Sequence, residues 1–326
     1  MGKAGGTGKA EAGAESTLLN RIRRSILRFD VARRVVQLAC FILFNAGILG
    51  WSPIPLVLPI LVSMGSTGKT VGEVLGVSQW MLYNLVFPWI PFAMVVLFAV
   101  LSGRLLCGWA CPFGFIQDLV SYVKAEKSRV SPKTNREMCK VKYFILGFTF
   151  LISGALAVSS LTGAGVSYRY ALGVFAEAPF TALSPSDTLF AATPRFILKV
   201  KYLTPMPVEA YENPMVEVIL SHQLLWVRLF IASSVILLAI YIPRGWCRYL
   251  CPQGALLALM SRFSFLGLRR DPVKCIRARC HACMDVCPMG IRILDLPWEK
   301  FSDPECIYCL RCVDACPTKA IRPKFP

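Results

Sequence analysis

The chain has 326 residues, 55% of them hydrophobic and 17% charged, with a mean hydropathy of +0.55. That balance is unusual for a soluble globular protein and predicts that the lipid bilayer is its main solvent. The net charge of +17 does not point to nucleic acid, because the basic residues flank apolar segments, as the orientation rule for inner-membrane proteins requires.

Residues 1 to 16, rich in Gly, Ala and Lys, cannot bury enough apolar surface to offset their ordering entropy and are expected to be mobile. Leu18 to Arg34, with Ile22, Ile26, Leu27 and Phe29 among arginines, has the pattern of an amphipathic helix on the membrane surface. No short apolar core followed by a small-residue cleavage site is found there, so no cleaved signal peptide is expected.

Four apolar segments, centred on residues 35 to 52, 82 to 103, 142 to 161 and 224 to 243, approach the roughly 20 residues that a helix needs to cross a bilayer. The tail up to Arg34 holds 8 Lys or Arg, the loop from Arg104 to Lys142 holds 8, and the stretch after Pro243 holds 14, against 5 in the other two loops. The excess places both termini in the cytoplasm of a multi-pass inner-membrane protein. Between the first two segments, SPIPLVLPILV is broken by Pro53, Pro55 and Pro59 and is expected to dip into the outer leaflet without spanning it. The proline-rich loop from Thr162 to His222 reads as an irregular extracytoplasmic cap.

One internal repeat stands out. Arg104-Leu-Leu-Cys107-Gly-Trp-Ala-Cys111-Pro112-Phe-Gly114 aligns without gaps on Arg244-Gly-Trp-Cys247-Arg-Tyr-Leu-Cys251-Pro252-Gln-Gly254. Each copy ends an apolar segment and precedes an amphipathic stretch, so the membrane part reads as two related hairpins. If they pack about a pseudo-twofold axis, Cys107, Cys111, Cys247 and Cys251 converge and would hold one metal or a third cluster; a redox-active disulfide pair and a purely structural role are the alternatives. Arg104 and Arg244 read as membrane anchors or as charge compensation. Cys40 reads as a small core residue, and Cys139 has no evident partner.

The strongest signal lies near the carboxyl end. Cys306-Ile-Tyr-Cys309-Leu-Arg-Cys312-Val-Asp-Ala-Cys316-Pro317 is an unbroken C-x2-C-x2-C-x3-C-P run, the pattern of bacterial two-cluster ferredoxins. Three of its thiolates reach one cubane and the fourth serves the neighbouring cluster, which requires a second run. It is present as Cys275-x4-Cys280-x2-Cys283-x3-Cys287-Pro288, with a widened first gap. Crosswise ligation assigns Cys275, Cys280, Cys283 and Cys316 to cluster A, and Cys306, Cys309, Cys312 and Cys287 to cluster B. Arg277, Arg279 and Arg311 would lie near the anionic clusters, and His281 reads as a neighbour that donates to a ligand rather than as a ligand. Two zinc sites are the competing reading of the same cysteines.

Only His222 and His281 are present, neither within a span, so a membrane haem lacks axial ligands. No dinucleotide fingerprint or P-loop occurs. A quinol is then the evident lipid-soluble donor, with His222 as a candidate proton acceptor.

With duplicated C-x3-C-P motifs at helix ends and tandem ferredoxin runs behind the last apolar segment, the chain resembles the NapH-type membrane ferredoxins over about residues 30 to 320. The membrane half of NosR and, more loosely, CcoG are relatives of that family. The resemblance implies quinol oxidation linked to a partner reductase, often with a soluble iron–sulfur subunit. Its cysteine pattern carries over onto Cys107, Cys111, Cys247, Cys251 and the eight tail cysteines.

The expected fold is an all-α membrane domain of four transmembrane helices, built as two pseudo-repeated hairpins, with a C-terminal α+β ferredoxin-like domain for two [4Fe–4S] clusters. Its parts are a cytoplasmic tail (1–33), the membrane domain (34–268) and the ferredoxin-like domain (269–326). The expected function is electron transfer between the quinone pool and a partner reductase, and the catalytic residues are not identified. A metalloenzyme assembly factor that reduces a metal ion such as copper is the alternative; a zinc-stabilised scaffold is a third reading.

Overall fold

A computed structural model describes residues 29–45, 56–62, 71–123, 130–161, 179–193, 223–277 and 280–325. The expectations for residues 1–16, for the stretch 18–28, for His222, for Arg279 and for most of the loop 162–222 fall outside these residues.

Helices occupy all four apolar segments. α1 (Phe29–Phe44) is followed by a two-residue strand β1 (Val57–Leu58) paired in parallel with β2 (Gly72–Glu73). Then come α2 (Val74–Tyr83), α3 (Trp89–Ser102), α4 (Leu105–Trp109), α5 (Pro112–Val120) and α6 (Pro132–Leu161). α7 (Gln223–Tyr241) leads through a π-helical turn, Trp246–Leu250, into α8 (Pro252–Ser261). Pro112 and Pro252 each sit at the first position of the helix they open, where the missing N–H has no intrahelical partner to lose. Among the described residues, one helix is long and apolar enough to cross a membrane, Pro132–Ser159; Trp89–Ser102 and Leu225–Tyr241 are apolar but shorter.

Packing between the two halves is reciprocal. α5, which follows the first C-x3-C-P motif, packs on α7, which precedes the second; α8, which follows the second, packs on α3, which precedes the first. α1 lies on α5 as α6 lies on α8. The polarity is inside-out. On α1 the buried stripe is Arg33, Gln37 and Phe44, spaced along one helical face, while Val35, Leu38 and Ile42 point outward. Phe144, Phe148 and Leu151 on α6 and Phe230 and Leu237 on α7 are likewise exposed, whereas Arg104, Gln117, Asp118, Lys142, Arg244 and Gln253 are buried. In water such an apolar exterior would be a large unfavourable surface.

Of the proline-interrupted run, residues 56–62 are described and lie inside the protein. Residues 57 and 58 form β1, and Ile60, Leu61 and Val62 are buried beside Cys111, Cys247 and Cys251. The prolines forbid a helix, so the peptide groups are satisfied by strand pairing, and such irregular backbone is tolerated only when enclosed by protein.

The C-terminal unit is a small α+β body. β3 (Gly267–Arg270) pairs antiparallel with β4 (Ile321–Lys324), in register Gly267 with Lys324 through Arg270 with Ile321. Short helices α9 (Ala282–Asp285) and α10 (Arg311–Asp314) each carry the third cysteine of a run. Leu268, Ile293, Leu294, Phe301 and Ile321 form its core with Cys283 and Cys312.

Candidate iron–sulfur sites

The loop from Cys306 to Cys312 is wound tightly. Tyr308 (φ 48°) and Leu310 (φ 59°) are both left-handed, at about 1–3 kcal/mol each for non-glycine residues. Buried contacts hold the first: the Tyr308 hydroxyl donates to the Leu266 carbonyl at 2.8 Å, and its own carbonyl accepts from Trp109 Nε1 at 2.8 Å. This winding turns Cys306, Cys309 and Cys312 into one cavity, whose wall also includes Cys287 from the other run. Leu268, Met289, Ile293, Phe301 and Ile307 complete an apolar lining. The structure thus gathers the four cysteines assigned to cluster B.

Those assigned to cluster A are also neighbours. Burial pushes the Cys283 thiol up, and Cys275, Cys280 and Cys316 push it further by proximity. Cys287 is raised to about 11 by burial and by Cys309, and burial raises Cys306 and Cys312 further still. Iron binding must displace protons from these raised thiols, whereas at Cys316 burial raises the value but Thr318 and the Ala320 and Ile321 amides outweigh it. Donors stand ready for the anionic form: Ile291 N–H reaches Cys287 Sγ at 3.4 Å, and Ala320 N–H reaches Cys316 Sγ at 3.2 Å. All-thiolate donor sets of this kind suit an iron–sulfur cubane.

The tail is clamped to the rest of the chain. Glu305 accepts from Arg104 Nη1 at 2.9 Å and also pairs with Lys142, and the hydroxyl of Tyr143 reaches it at 3.4 Å. Burial raises the Glu305 carboxyl, but Arg104 and Lys142 outweigh it and hold the group below its ordinary value. On the other side, Arg311 Nε donates to Asp30 at 3.0 Å, and the Phe29 amide donates to Asp314 at 3.1 Å. Between them the Ile307 carbonyl lies so close to Gly108 that a Cβ there would approach it to 2.1 Å.

The C-x3-C-P cysteines converge too: Cys107, Cys111, Cys247 and Cys251 line one cavity with Pro59, Ile60, Leu61, Arg104, Gln253 and Gly254. The two arginines of the motifs are buried braces. Arg104 donates to the Cys247 carbonyl at 3.2 Å, Arg244 to the Cys107 carbonyl at 2.7 Å, and Arg244 Nε to Asp118 at 3.0 Å.

Arg311 lies close enough to Cys309 to feel its charge, as expected of a residue near cluster B. Arg277 pairs loosely with Asp295 at 3.7 Å, and Arg311 is held by Asp30. His281 is exposed. Cys40 packs against the core around Cys111, Cys247 and Cys251, and Cys139 Sγ lies 3.9 Å from Asn135 Oδ1. Asp118, Gln117, Gln253 and Glu305 are the polar residues that reading the sequence missed. Asp118 had a signal, a lone carboxylate in an otherwise apolar helix; Glu305 had none.

Paired cysteine runs of this spacing in a small α+β unit are those of ferredoxin-type iron–sulfur domains. Residues 85–130 and 224–270 each match the model of a 4Fe-4S binding domain, and residues 267–317 match a 4Fe-4S dicluster domain. The chain is a relative of the NapH-type ferredoxin proteins. It is 26% identical to the ferredoxin-type protein NapH of Haemophilus influenzae, across 71% of this chain and 66% of that one. It is 25% identical to the putative electron transport protein YccM of Escherichia coli, across 85% and 63%. An uncharacterised protein of Methanocaldococcus jannaschii is 27% identical across 70% and 67%. No solved structure matches the chain.

Proposed function

We propose that the chain is a multi-pass inner-membrane electron-transfer protein, with both termini cytoplasmic, that passes single electrons between the quinone pool and a partner reductase or iron–sulfur subunit. The observation that carries this reading is the meeting of Cys287 with Cys306, Cys309 and Cys312 around one cavity, because ferredoxin-type pairs share ligands in that crosswise way. Cys275, Cys280, Cys283 and Cys316 make the second set. The inside-out polarity of α1, α6 and α7 supports residence in lipid, and the reciprocal packing of α3, α5, α7 and α8 supports two related hairpins.

Each cubane, when bound, supplies a reversible one-electron couple. The chain's own part is to hold the thiolates, to exclude water with Leu268, Ile293, Phe301 and Ile307, and to fix the tail against the membrane helices through Glu305 and Arg311. The test is anaerobic purification of the full chain with iron, sulfide and electron paramagnetic resonance counts, followed by addition of quinol to membranes that contain it. Quinol-dependent appearance of a reduced-cluster signal is expected. A colourless, zinc-loaded protein would overturn the iron–sulfur reading, and clusters indifferent to quinol would overturn the quinone link alone.

A further inference from the structure

The C-terminal sheet has a face that neither the core nor the cysteine sites use. Leu268 and Arg270 on β3 and Ile321 on β4 are buried, so by the alternation of a strand Arg269, Arg322 and Lys324 stand on the opposite face, where all three are exposed. Arg269 and Arg322 are direct cross-strand partners. Like charges set opposite each other destabilise a ladder, and an anion between them relieves the repulsion.

A fourth cation joins this face. The other edge of β3 is covered by residues 298–301, whose Phe301 exchanges both backbone hydrogen bonds with Leu268, at 2.8 and 3.0 Å. From that segment the Lys300 side chain crosses Gly267 so closely that a Cβ there would lie 2.7 Å from it, and its ammonium donates to the Phe265 carbonyl at 2.9 Å. Among the described residues, the ion pairs of the tail involve other cations, and neighbouring Glu299 pairs with none of these four.

What lies beside the patch identifies its partner. The Phe265 amide donates to the Val100 carbonyl at 2.7 Å, which fixes the turn 262–266 against the end of α3, a helix that carries Leu97 and Leu101 exposed. Phe263 and Phe265 add to that apolar surface, 72% and 46% exposed, and Phe325, 65% exposed, follows Lys324. Aromatic rings among basic side chains at the end of a lipid-facing helix suit the headgroup layer, where rings meet acyl chains and cations meet phosphate. An acidic protein surface would answer the charges but not the three rings.

We propose that the outward face of the β3–β4 sheet docks on anionic phospholipid headgroups of the cytoplasmic leaflet, with Arg269, Arg322 and Lys324 on the phosphates and Phe263 and Phe265 seated in the interface. The proposal deepens the membrane reading given above and rests on it. Docking holds the tail sites at a fixed depth beside the bilayer, as a second anchor independent of the Glu305 and Asp30 clamps.

The test uses the full chain, purified anaerobically in detergent, offered phosphatidylglycerol and phosphatidylcholine together and weighed by native mass spectrometry. The wild type should hold phosphatidylglycerol in preference, and excess inorganic phosphate should not displace it, because phosphate has no acyl chains for the rings to meet. Arg269→Gln with Arg322→Gln should weaken that preference about thirty-fold, from about fivefold for each basic residue at an anionic surface, with the iron content unchanged. Lys133→Gln with Arg136→Gln, which removes the same charge from the exposed start of α6, should leave the preference as in the wild type. Equal loss in both double variants would show a general effect of positive charge and overturn the site, and displacement by phosphate would overturn lipid as its occupant. A wild type that holds both lipids equally would overturn the proposal, leave the face to an acidic protein, and let membrane residence stand; a chain that holds no lipid and stays monodisperse without detergent would overturn membrane residence itself. Should the arginine variant not fold, Lys324→Gln carries the same test with a loss of about fivefold.

Discussion

Glu305 and Arg104 form an ion pair at 2.9 Å between the residue that precedes a tail cysteine and the arginine that opens the first C-x3-C-P motif. Both are largely removed from solvent, and Lys142 joins the same carboxylate. Breaking a buried pair from one side leaves an uncompensated charge, typically at about 3–5 kcal/mol. Glu305→Gln should therefore loosen the tail from the helices, seen as faster proteolysis between residues 261 and 267 in detergent. Unchanged protease resistance would show that the pair is not what holds the tail.

Asp118 faces three guanidinium groups, with Arg34 at 2.9 Å, Arg33 at 3.3 Å and Arg244 Nε at 3.0 Å. Asp118→Asn removes the buried carboxylate that all three guanidinium groups share and should cost several kcal/mol, about as much as opening other buried pairs. The thermal midpoint in detergent should fall markedly, whereas Lys140→Ala, at an exposed pair with Glu137, should leave it within error.

Crosswise ligation makes a sharp genetic prediction. Cys287→Ser should empty the same cluster as Cys309→Ser, although the two lie in different runs, and Cys316→Ser should empty the same cluster as Cys283→Ser. Each variant should lose about four irons. Paramagnetic spectra of the four proteins would sort them into two classes; a sorting of Cys287 with Cys283 would mean that each run serves its own cluster.

At Gly108 the constraint is steric. A side chain would meet the Ile307 carbonyl at 2.1 Å, and carbonyl backbone cannot swing aside as a flexible side chain can. Gly108→Val should displace the cysteine loop and expose Trp109, whose indole now donates to the Tyr308 carbonyl. A red shift of Trp109 fluorescence, isolated by comparison with Trp109→Phe, checks it.

The N-terminal helix is held to the tail through Asp30. Burial raises its carboxyl, but Arg311 and then Arg33 and Arg34 outweigh burial and bring it below its ordinary 3.8. A depressed carboxylate contributes stability that is present above the unfolded value and disappears as pH falls through the folded one. Hydrogen exchange of residues 29–34 should therefore show no added opening between pH 8 and 5, and docking should weaken only below about 4. Asp30→Asn should show weakened docking at all of these pH values.

Several of these relationships were legible before any coordinates. The periodic cysteine runs report ligand chemistry directly, because a cubane dictates spacing along a few residues. The four apolar segments and the gap-free repeat announced helices, which are present, although only α6 reaches membrane length among the described residues. What sequence could not give is partnership across the halves. That Glu305 meets Arg104, about 200 positions earlier in the chain, follows from docking and not from local pattern. The run with Pro53, Pro55 and Pro59 is expected from sequence to dip into the outer leaflet because prolines report only what the backbone cannot do; that Pro59, Ile60 and Leu61 line the Cys107–Cys251 cavity depends on the enclosure around them.

The crossed arginines also constrain biogenesis. When a ribosome has completed α5, the chain possesses two of the four motif thiols and a buried Arg104 whose carboxylate partner is still some two hundred codons away. The second pair of thiols emerges only with residues 247–251, and Glu305 later still. Maturation of this protein must then follow translation, and the insertion machinery has to shelter an unfinished half until its counterpart arrives.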